Sequence, residues 1–357
     1  MYRIIRPLIF RFDPERAHAL TLYVLRFTGA VPPLRNLISW LYRAPDKPVT
    51  AFGLTFRNPV GLAAGYDKDG VAFRGLAALG FGHLELGTVT PRAQVGNPKP
   101  RVFRLAADAA LINWLGFPGK GADYFAKNVS TFQRSNVILG INIGKNKDTP
   151  NEDAARDYLH LLERFAPLAD YLTVNVSSPN TAGLRDLQGK AALNALLGAL
   201  SDARQTTVSQ SPITNPSTSA SASSAHRLST SYQLPILVKL APDLTNAELD
   251  DSLDAILAAG MDGVIATNTT IRREGLRSPH GGETGGLSGA PLTQLSTEII
   301  AKIYARTGGK LPIIGVGGIM GPDDAKAKLD AGATLVQIYT GMIYGGPGIV
   351  KQIVSGL

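Results

Sequence analysis

The chain has 357 residues, 44 % of them hydrophobic, and a net charge of +8, enough apolar material to bury a full core in one large domain or two smaller ones. It contains no cysteine, which excludes disulfides, cysteine-ligated zinc or iron–sulfur centres, and a cysteine nucleophile or base. Its five histidines (His18, His83, His160, His226 and His280) are scattered without ligand spacing, which argues against a protein-bound metal.

The charge is uneven. Residues 1–50 hold eight Lys/Arg against three acids, a local excess of +5. That stretch is also rich in Leu, Ile, Phe, Tyr and Trp, so its expected partner is an anionic membrane surface and not nucleic acid. Arginines interrupt Tyr2–Phe12 every few residues, and no run approaches the roughly 20 apolar residues that span a bilayer. Neither an apolar h-region nor a small-residue cleavage site marks a signal peptide. Three helical pieces are expected. Met1–Phe10 is broken at Pro7; the next is opened by Asp13-Pro14-Glu15 and closed at Gly29; the third is Leu34–Tyr42. In the second, Ala17, Leu20, Thr21, Val24 and Thr28 mark one face while Leu22, Tyr23 and Leu25 spread apolar surface over the other. Such a helix must bury more than one side, in lipid, around an apolar ligand between helices, or against the main body.

From Pro45 onward short β-rich runs alternate with helical stretches. Eight strands are expected: Pro59–Ala64, His83–Val89, Val137–Ile143, Tyr171–Val176, Pro235–Leu240, Gly263–Thr267, Pro312–Val316 and Thr334–Tyr339. Helices Asn151–Phe165, Ala191–Gln205, Asn246–Ala259, Ser296–Thr307 and Asp323–Ala331 lie between them. Near-continuous apolar strands separated by helices indicate a parallel sheet covered on both faces. Eight of them close a (β/α)8 TIM barrel better than they build an open sheet, and no Gly-x-Gly-x-x-Gly follows the first strand to favour a Rossmann fold. The expected organisation is a helical membrane-associating extension over residues 1–44 and a barrel over 45–357. A low-complexity insertion at 206–232 interrupts the barrel, and within it residues 209–231 hold nine serines and three threonines, a composition expected to be disordered.

In such barrels the chemistry sits where strands end. The fourth strand ends in Asn175-Val176-Ser177-Ser178-Pro179-Asn180-Thr181, two carboxamides able to read a planar, amide-rich ligand and a serine able to move a proton. The first ends in Ala63-Ala64-Gly65-Tyr66-Asp67-Lys68-Asp69-Gly70, the second in Gly87-Thr88-Val89-Thr90-Pro91-Arg92, and the third at Asn142. Lys239 closes the fifth, and Thr267-Asn268-Thr269-Thr270 follows the sixth. Gly315-Val316-Gly317-Gly318 and Tyr339-Thr340-Gly341 end the last two, the position of the phosphate site common in these barrels. Lys239, inside Ile236-Leu237-Val238-Lys239-Leu240, needs an anionic or electron-rich partner to be buried. A flavin meets both requirements.

These motifs, with Pro14-Glu15-Arg16-Ala17-His18, Ile143-Gly144-Lys145-Asn146 and Gly285-Gly286-Leu287-Ser288-Gly289, resemble those of the membrane-associated, quinone-dependent class 2 dihydroorotate dehydrogenases over nearly the whole chain. Ser178 is itself diagnostic, because class 1 relatives carry cysteine there. The resemblance implies FMN held by Ala64, Gly65, Tyr66, Asp67, Lys68, Thr88, Asn142, Asn175, Lys239, Thr267, Gly289, Gly318, Tyr339 and Thr340. It implies dihydroorotate held by Lys68, by Asn113, Trp114, Leu115, Gly116 and Phe117, and by Asn175, Asn180, Asn268 and Thr269. Ser178 is the implied base, with Phe117 and Thr181 as its proton path. His18, Arg104 and Tyr339 line the implied route of ubiquinone or menaquinone. The implied role is (S)-dihydroorotate oxidation in pyrimidine biosynthesis by a peripheral membrane protein, on the cytoplasmic face of the inner or plasma membrane if bacterial.

Two departures from that family stand out. Asn113-Trp114-Leu115-Gly116-Phe117-Pro118-Gly119 replaces the usual Asn-Arg-x-Gly-Phe-Asn-Asn, and Ala182 stands where the family has proline, an expected loosening of that lid. Readings from other classes are a different FMN barrel oxidoreductase, a non-redox phosphate-binding lyase or isomerase, and a membrane-surface protein with an inactive barrel.

Overall fold

The computed structural model describes residues 2–130, 137–209 and 233–357. Most of the Ser/Thr-rich insertion therefore lies outside the described residues; the helix before it continues to Ser209.

Three helices come first: α1 (Tyr2–Ile9), α2 (Pro14–Ala30) and α3 (Pro32–Tyr42). α1 runs through Pro7 instead of breaking there. Docking holds it, with the Tyr2 hydroxyl donating to Ile343 O at 2.6 Å, Arg6 donating to Tyr344 O at 3.0 Å, and Phe10 edge-on to Tyr344. Asp13 caps α2, its carboxylate accepting the Arg16 amide at 2.9 Å. Gly29 is not the C-cap expected of it: the helix continues to Ala30 and is closed by Val31. Gly29 is buried, and a Cβ there would stand 2.4 Å from the Gly75 amide nitrogen. Its role is to let α2 cross a short barrel helix, α4 (Phe73–Ala77), almost backbone to backbone.

The chain then makes a β-hairpin of β1 (Val49–Ala51) and β2 (Leu54–Phe56). The eight expected strands follow as β3 (Val60–Leu62), β4 (His83–Val89), β7 (Ile138–Ile143), β8 (Tyr171–Asn175), β9 (Ile236–Leu240), β10 (Gly263–Ala266), β12 (Ile313–Val316) and β13 (Leu335–Ile338). Every neighbouring pair is parallel, and β13 closes on β3. Helices α5 (Ala122–Val129), α6 (Ala154–Phe165), α7 (Lys190–Ser209), α8 (Asn246–Ala258), α9 (Thr293–Thr307) and α10 (Pro322–Asp330) follow along the chain, with α11 (Thr340–Gly345) and α12 (Ile349–Gly356) at its end.

Strand alternation sorts the two layers. Leu172, Val174, Val238 and Leu240 face the helices, in the main apolar cluster. Tyr171 and Leu237 face the barrel interior with Ile265, Ile314 and Leu335. Ala51, Leu54 and Phe56 of the hairpin belong to that inner cluster, so β1–β2 stoppers the end of the barrel opposite the strand C-termini. A separate antiparallel sheet of β5 (Val102–Leu105), β6 (Ala110–Asn113) and β11 (Gly286–Gly289) stands at the other end, pairing Asn113 with Gly286. Neither small sheet is in the sequence reading.

Candidate active site

The same alternation that turns Tyr171 inward turns Thr173 and Asn175 inward two and four residues later, and Lys239 two residues after Leu237. Parallel register then sets Asn175 beside Lys239. Inward polar side chains near the strand ends thus converge on a cavity at the barrel mouth.

A buried carboxylate organises the floor. Glu85, fully enclosed, accepts hydrogen bonds from Asn142 Nδ2 at 2.8 Å and Gln337 Nε2 at 2.9 Å, and lies 3.6 Å from the Lys239 ammonium. Because Asn142 gives its amide N–H to Glu85, its oxygen is left to accept from Thr88 Oγ1 at 2.5 Å and Asn175 Nδ2 at 3.1 Å. Asn175 Oδ1 is thereby turned to accept from the Ser177 amide and hydroxyl and from Asn268 Nδ2. One buried charge fixes the direction of three carboxamides in series. The sequence reading missed Glu85; its signal was a lone acid inside the apolar run His83-Leu84-Glu85-Leu86.

Ser178 lines the cavity and is 4 % exposed. Its Oγ accepts the Asn180 amide at 3.2 Å, and no carboxylate or imidazole among the described residues hydrogen-bonds to it. Asn180 Nδ2 donates to Asn113 Oδ1 at 2.8 Å, joining the Ser178 loop to the end of β6. Thr181 is buried with its hydroxyl unpartnered. The loop is held from outside by Asn97, which donates to Asn180 O at 3.0 Å, and by Arg185, which spans Ser177 O, Thr269 O and the Asp243 carboxylate. Also in the cavity wall, Gly116 and Phe117 both adopt left-handed backbone, φ +68° and +51°. For a phenylalanine that conformation is uncommon, and here it sets Phe117 in the cavity wall. The departing Pro118-Gly119 is accommodated by a two-way amide bridge between Gly119 and Gln94.

Lys68 brings positive charge to the wall, donating to Gly65 O at 2.5 Å. Burial, reinforced by repulsion from Arg101, lowers its pKa to about 8. The same wall holds the glycine loop Gly317-Gly318 after β12 and Thr340 at the start of α11.

The cavity wall also brings together Ala64, Gly65, Thr88, Asn113, Leu115, Gly116, Asn175, Asn180, Lys239, Thr267, Asn268, Thr269, Gly289, Gly318 and Tyr339. It does not include seven of the expected residues. Asn142 lies beneath it, bonded to Glu85. Asp67 is turned away to cap α4 by accepting the Val71 and Ala72 amides. Trp114 is outside, its amide on Arg101 O. Thr181, three residues after Ser178, is buried outside the wall.

Tyr66, His18 and Arg104 stand on the side of the N-terminal helices. His18 packs edge-on against Tyr66 at 5.0 Å, and Tyr66 against Tyr339 at 5.7 Å, an aromatic file from α2 to the cavity wall. Burial, with repulsion from Lys68, lowers the His18 pKa to about 4. Arg104 stacks over the Phe10 ring and donates to Phe10 O. Wall residues the sequence reading missed include Ser288, Leu292, Ile319 and Met320, small or apolar side chains that announce nothing at their own positions.

Residues 48–357 match the family model described as dihydroorotate dehydrogenase. A Paraburkholderia phymatum protein named dihydroorotate dehydrogenase (quinone) is 50 % identical over 360 residues, covering 100 % of this chain and 97 % of that one. A protein of the same name from Ralstonia nicotianae is 49 % identical over 360 residues, with 100 % and 98 % covered. Among solved structures, the DHODH of Eimeria tenella in complex with ferulenol aligns with a TM-score of 0.84 at 39 % identity, covering 96 % of this chain and 90 % of that one. With a closed eight-stranded parallel barrel behind that match, this chain belongs to the dihydroorotate dehydrogenase family.

Proposed function

We propose that this chain oxidises (S)-dihydroorotate to orotate with FMN as its cofactor and a membrane quinone as electron acceptor. The observation that carries this is the Ser178 turn, set in a cavity whose other walls are oriented carboxamides, Lys68 and an open glycine loop. FMN, when bound, accepts the two electrons from the substrate and hands them to the quinone.

The residues fit that group by their chemistry. Lys239 offers a cation to the electron-rich edge of a flavin, and Gln337 Oε1 is a buried acceptor without a partner. The Gly317-Gly318 amides and Thr340 suit a phosphate. Ala64 and Gly65 present no bulk against a flat ring.

For the substrate, Lys68 neutralises a carboxylate. Asn113, Asn180 and Asn268 read the amide edges of a pyrimidine ring; the bond between Asn180 and Asn113, and that from Asn268 to Ser177 Oγ, hold them in place before it arrives. Ser178 takes the C5 proton. An ordinary serine is a poor base, so burial beside Phe117 and hand-off to the unpartnered Thr181 hydroxyl supply what the serine lacks.

Residues 1–44 serve as the membrane and quinone-access extension, and 45–357 as the cofactor-binding barrel. Leu20, Tyr23, Val24 and Phe27 of α2 with Leu37, Trp40 and Leu41 of α3 form an exposed apolar face among arginines, suited to the surface of an anionic bilayer. No helix among the described residues is long and apolar enough to cross one.

The test is the visible spectrum of the purified protein under anaerobic conditions. A yellow protein that bleaches with dihydroorotate and recolours with ubiquinone or menaquinone is the expected result. Yellow but indifferent to dihydroorotate sinks the substrate; colourless and not reconstituted by FMN sinks the redox reading.

A further inference from the structure

Lys328, on α10, is completely buried, yet among the described residues it has no ion-pair partner. All its polar contacts are neutral oxygens of α9's first turn: Thr293 O at 2.7 Å, Ser296 Oγ at 2.6 Å and Thr297 Oγ1 at 2.5 Å. Asp324 is the one carboxylate whose field favours its charge, and that carboxylate is already engaged by the Met320 amide at 2.8 Å. A buried cation without a counter-charge is costly, and burial lowers its pKa to about 8. Ordinary packing would place an apolar side chain here.

The contacts of its partners show where that charge acts. Because the ammonium donates to Ser296 Oγ, the serine's own proton must point elsewhere; of its two acceptors, Gly317 O at 2.9 Å is nearer than Thr293 O at 3.2 Å. Thr293, whose carbonyl takes the same ammonium, has its Oγ1 within reach of Gly318 O at 2.8 Å and Ala290 O at 2.9 Å. A trans peptide sets its N–H opposite its C=O. With both carbonyls tied back to α9, the following amides, of Gly318 and Ile319, point away from that helix, toward the cavity both residues line. Neither amide donates to a backbone acceptor among the described residues. A side chain at Gly318 would collide with Thr293 Oγ1 at 2.1 Å, so the loop can sit this close only as glycine.

We propose that Lys328 is a positioning residue for the cofactor phosphate. Through Ser296 and Thr293 its buried ammonium sets the Gly317-Gly318 loop with its amides facing outward, and it keeps one positive charge behind that loop for the phosphate to compensate. This rests on the reading that the cofactor is FMN, and it adds a residue outside the cavity wall to the machinery that selects a phosphorylated flavin.

The experiment compares FMN with riboflavin, which share the ring and differ by the phosphate. The full-length chain, stripped of flavin, is titrated with each by flavin-fluorescence quenching, as wild type, K328M and S296A. K328M is expected to weaken FMN roughly 30-fold, the loss of one hydrogen-bonded buried charge, with riboflavin affinity unchanged within about twofold. S296A, which keeps the ammonium and removes one link to the loop, is expected to weaken FMN about fivefold, again sparing riboflavin. Equal weakening of both flavins in K328M would mean a purely structural lysine and overturn the proposal, as would no effect on either. Should K328M not fold, S296A decides: an unchanged FMN-to-riboflavin ratio overturns the proposal. Failure of the wild type to bind either flavin would sink the cofactor reading itself, and this inference with it.

Discussion

Among the described residues no basic side chain hydrogen-bonds to Ser178, so its proposed role as the proton acceptor rests on burial and on the Asn180 amide at 3.2 Å. Replacing it with alanine is expected to lower kcat by about 10²–10⁴ and to leave the orotate Kd within about twofold, because the carboxamides that hold the ring are untouched. Stopped-flow reduction with dihydroorotate measures the first and orotate titration the second; a kcat within tenfold of wild type would remove Ser178 from the mechanism. Lys68 gives a pH signature. Its pKa is lowered to about 8, so the ammonium is present below that value and lost above it. Binding of the anionic product should weaken as pH rises from 7 to 9.5. In K68M it should be weaker throughout and flat with pH, which titrations at the two pH values will show.

At the scale of elements, the contact between α2 and α4 governs how the N-terminal helices sit on the barrel. Gly29 to alanine would ordinarily strengthen a helix by about 1 kcal/mol. Here the added Cβ meets the Gly75 amide nitrogen at 2.4 Å and Arg74 at 3.0 Å, both rigid backbone or backbone-proximal atoms, and overpacking of that kind costs about 1–3 kcal/mol. The clash wins, and G29A should lower the unfolding free energy and expose α2 to limited proteolysis. Reduction of the cofactor by dihydroorotate should survive, since α2 supplies nothing to the cavity wall; reoxidation by quinone should slow. A variant as stable as the parent would show that the crossing is looser than its geometry implies. Helix starts and strands were legible because their signals are local: Asp13-Pro14-Glu15 for α2, and runs such as Ile313–Val316, apolar toward both layers. Gly29 misled as a C-cap because a glycine that ends a helix and one that admits a neighbour are identical in sequence.

For the whole molecule, acid stability is set partly by histidines buried neutral. His83 is completely enclosed against Phe56 and Tyr171, neither ring nitrogen has a partner, and burial lowers its pKa to about 3. The unfolded chain takes up that proton near pH 6.5, so between pH 6.5 and 3 the unfolded state binds more protons and stability falls as pH falls. From pH 7 to 5 the contribution of His83 is a loss of about 2 kcal/mol. Denaturant melts of wild type and H83F at the two pH values should differ in their pH dependence by about that amount. Equal dependence would mean the imidazole is protonated in the folded protein.

The sequence by itself determined the barrel, because two-sided burial of a parallel strand is written into each strand separately. It also pointed to the strand ends that supply much of the cavity wall, since polar residues there interrupt otherwise apolar runs, although Asn142 and Asp67 lie outside that wall. The tertiary structure decided what depends on partners distant in the chain. The β1–β2 stopper is defined by the open end it fills. The β5–β6–β11 sheet pairs Asn113 with Gly286. Glu85, Asn142 and Asn175 acquire their direction only when three strands set them side by side. Lys328 reads as a surface lysine on a short polar helix until α9 closes over it. Local sequence encodes which way a residue faces along its own element; the neighbour it meets there is settled by register and packing, which no single segment carries.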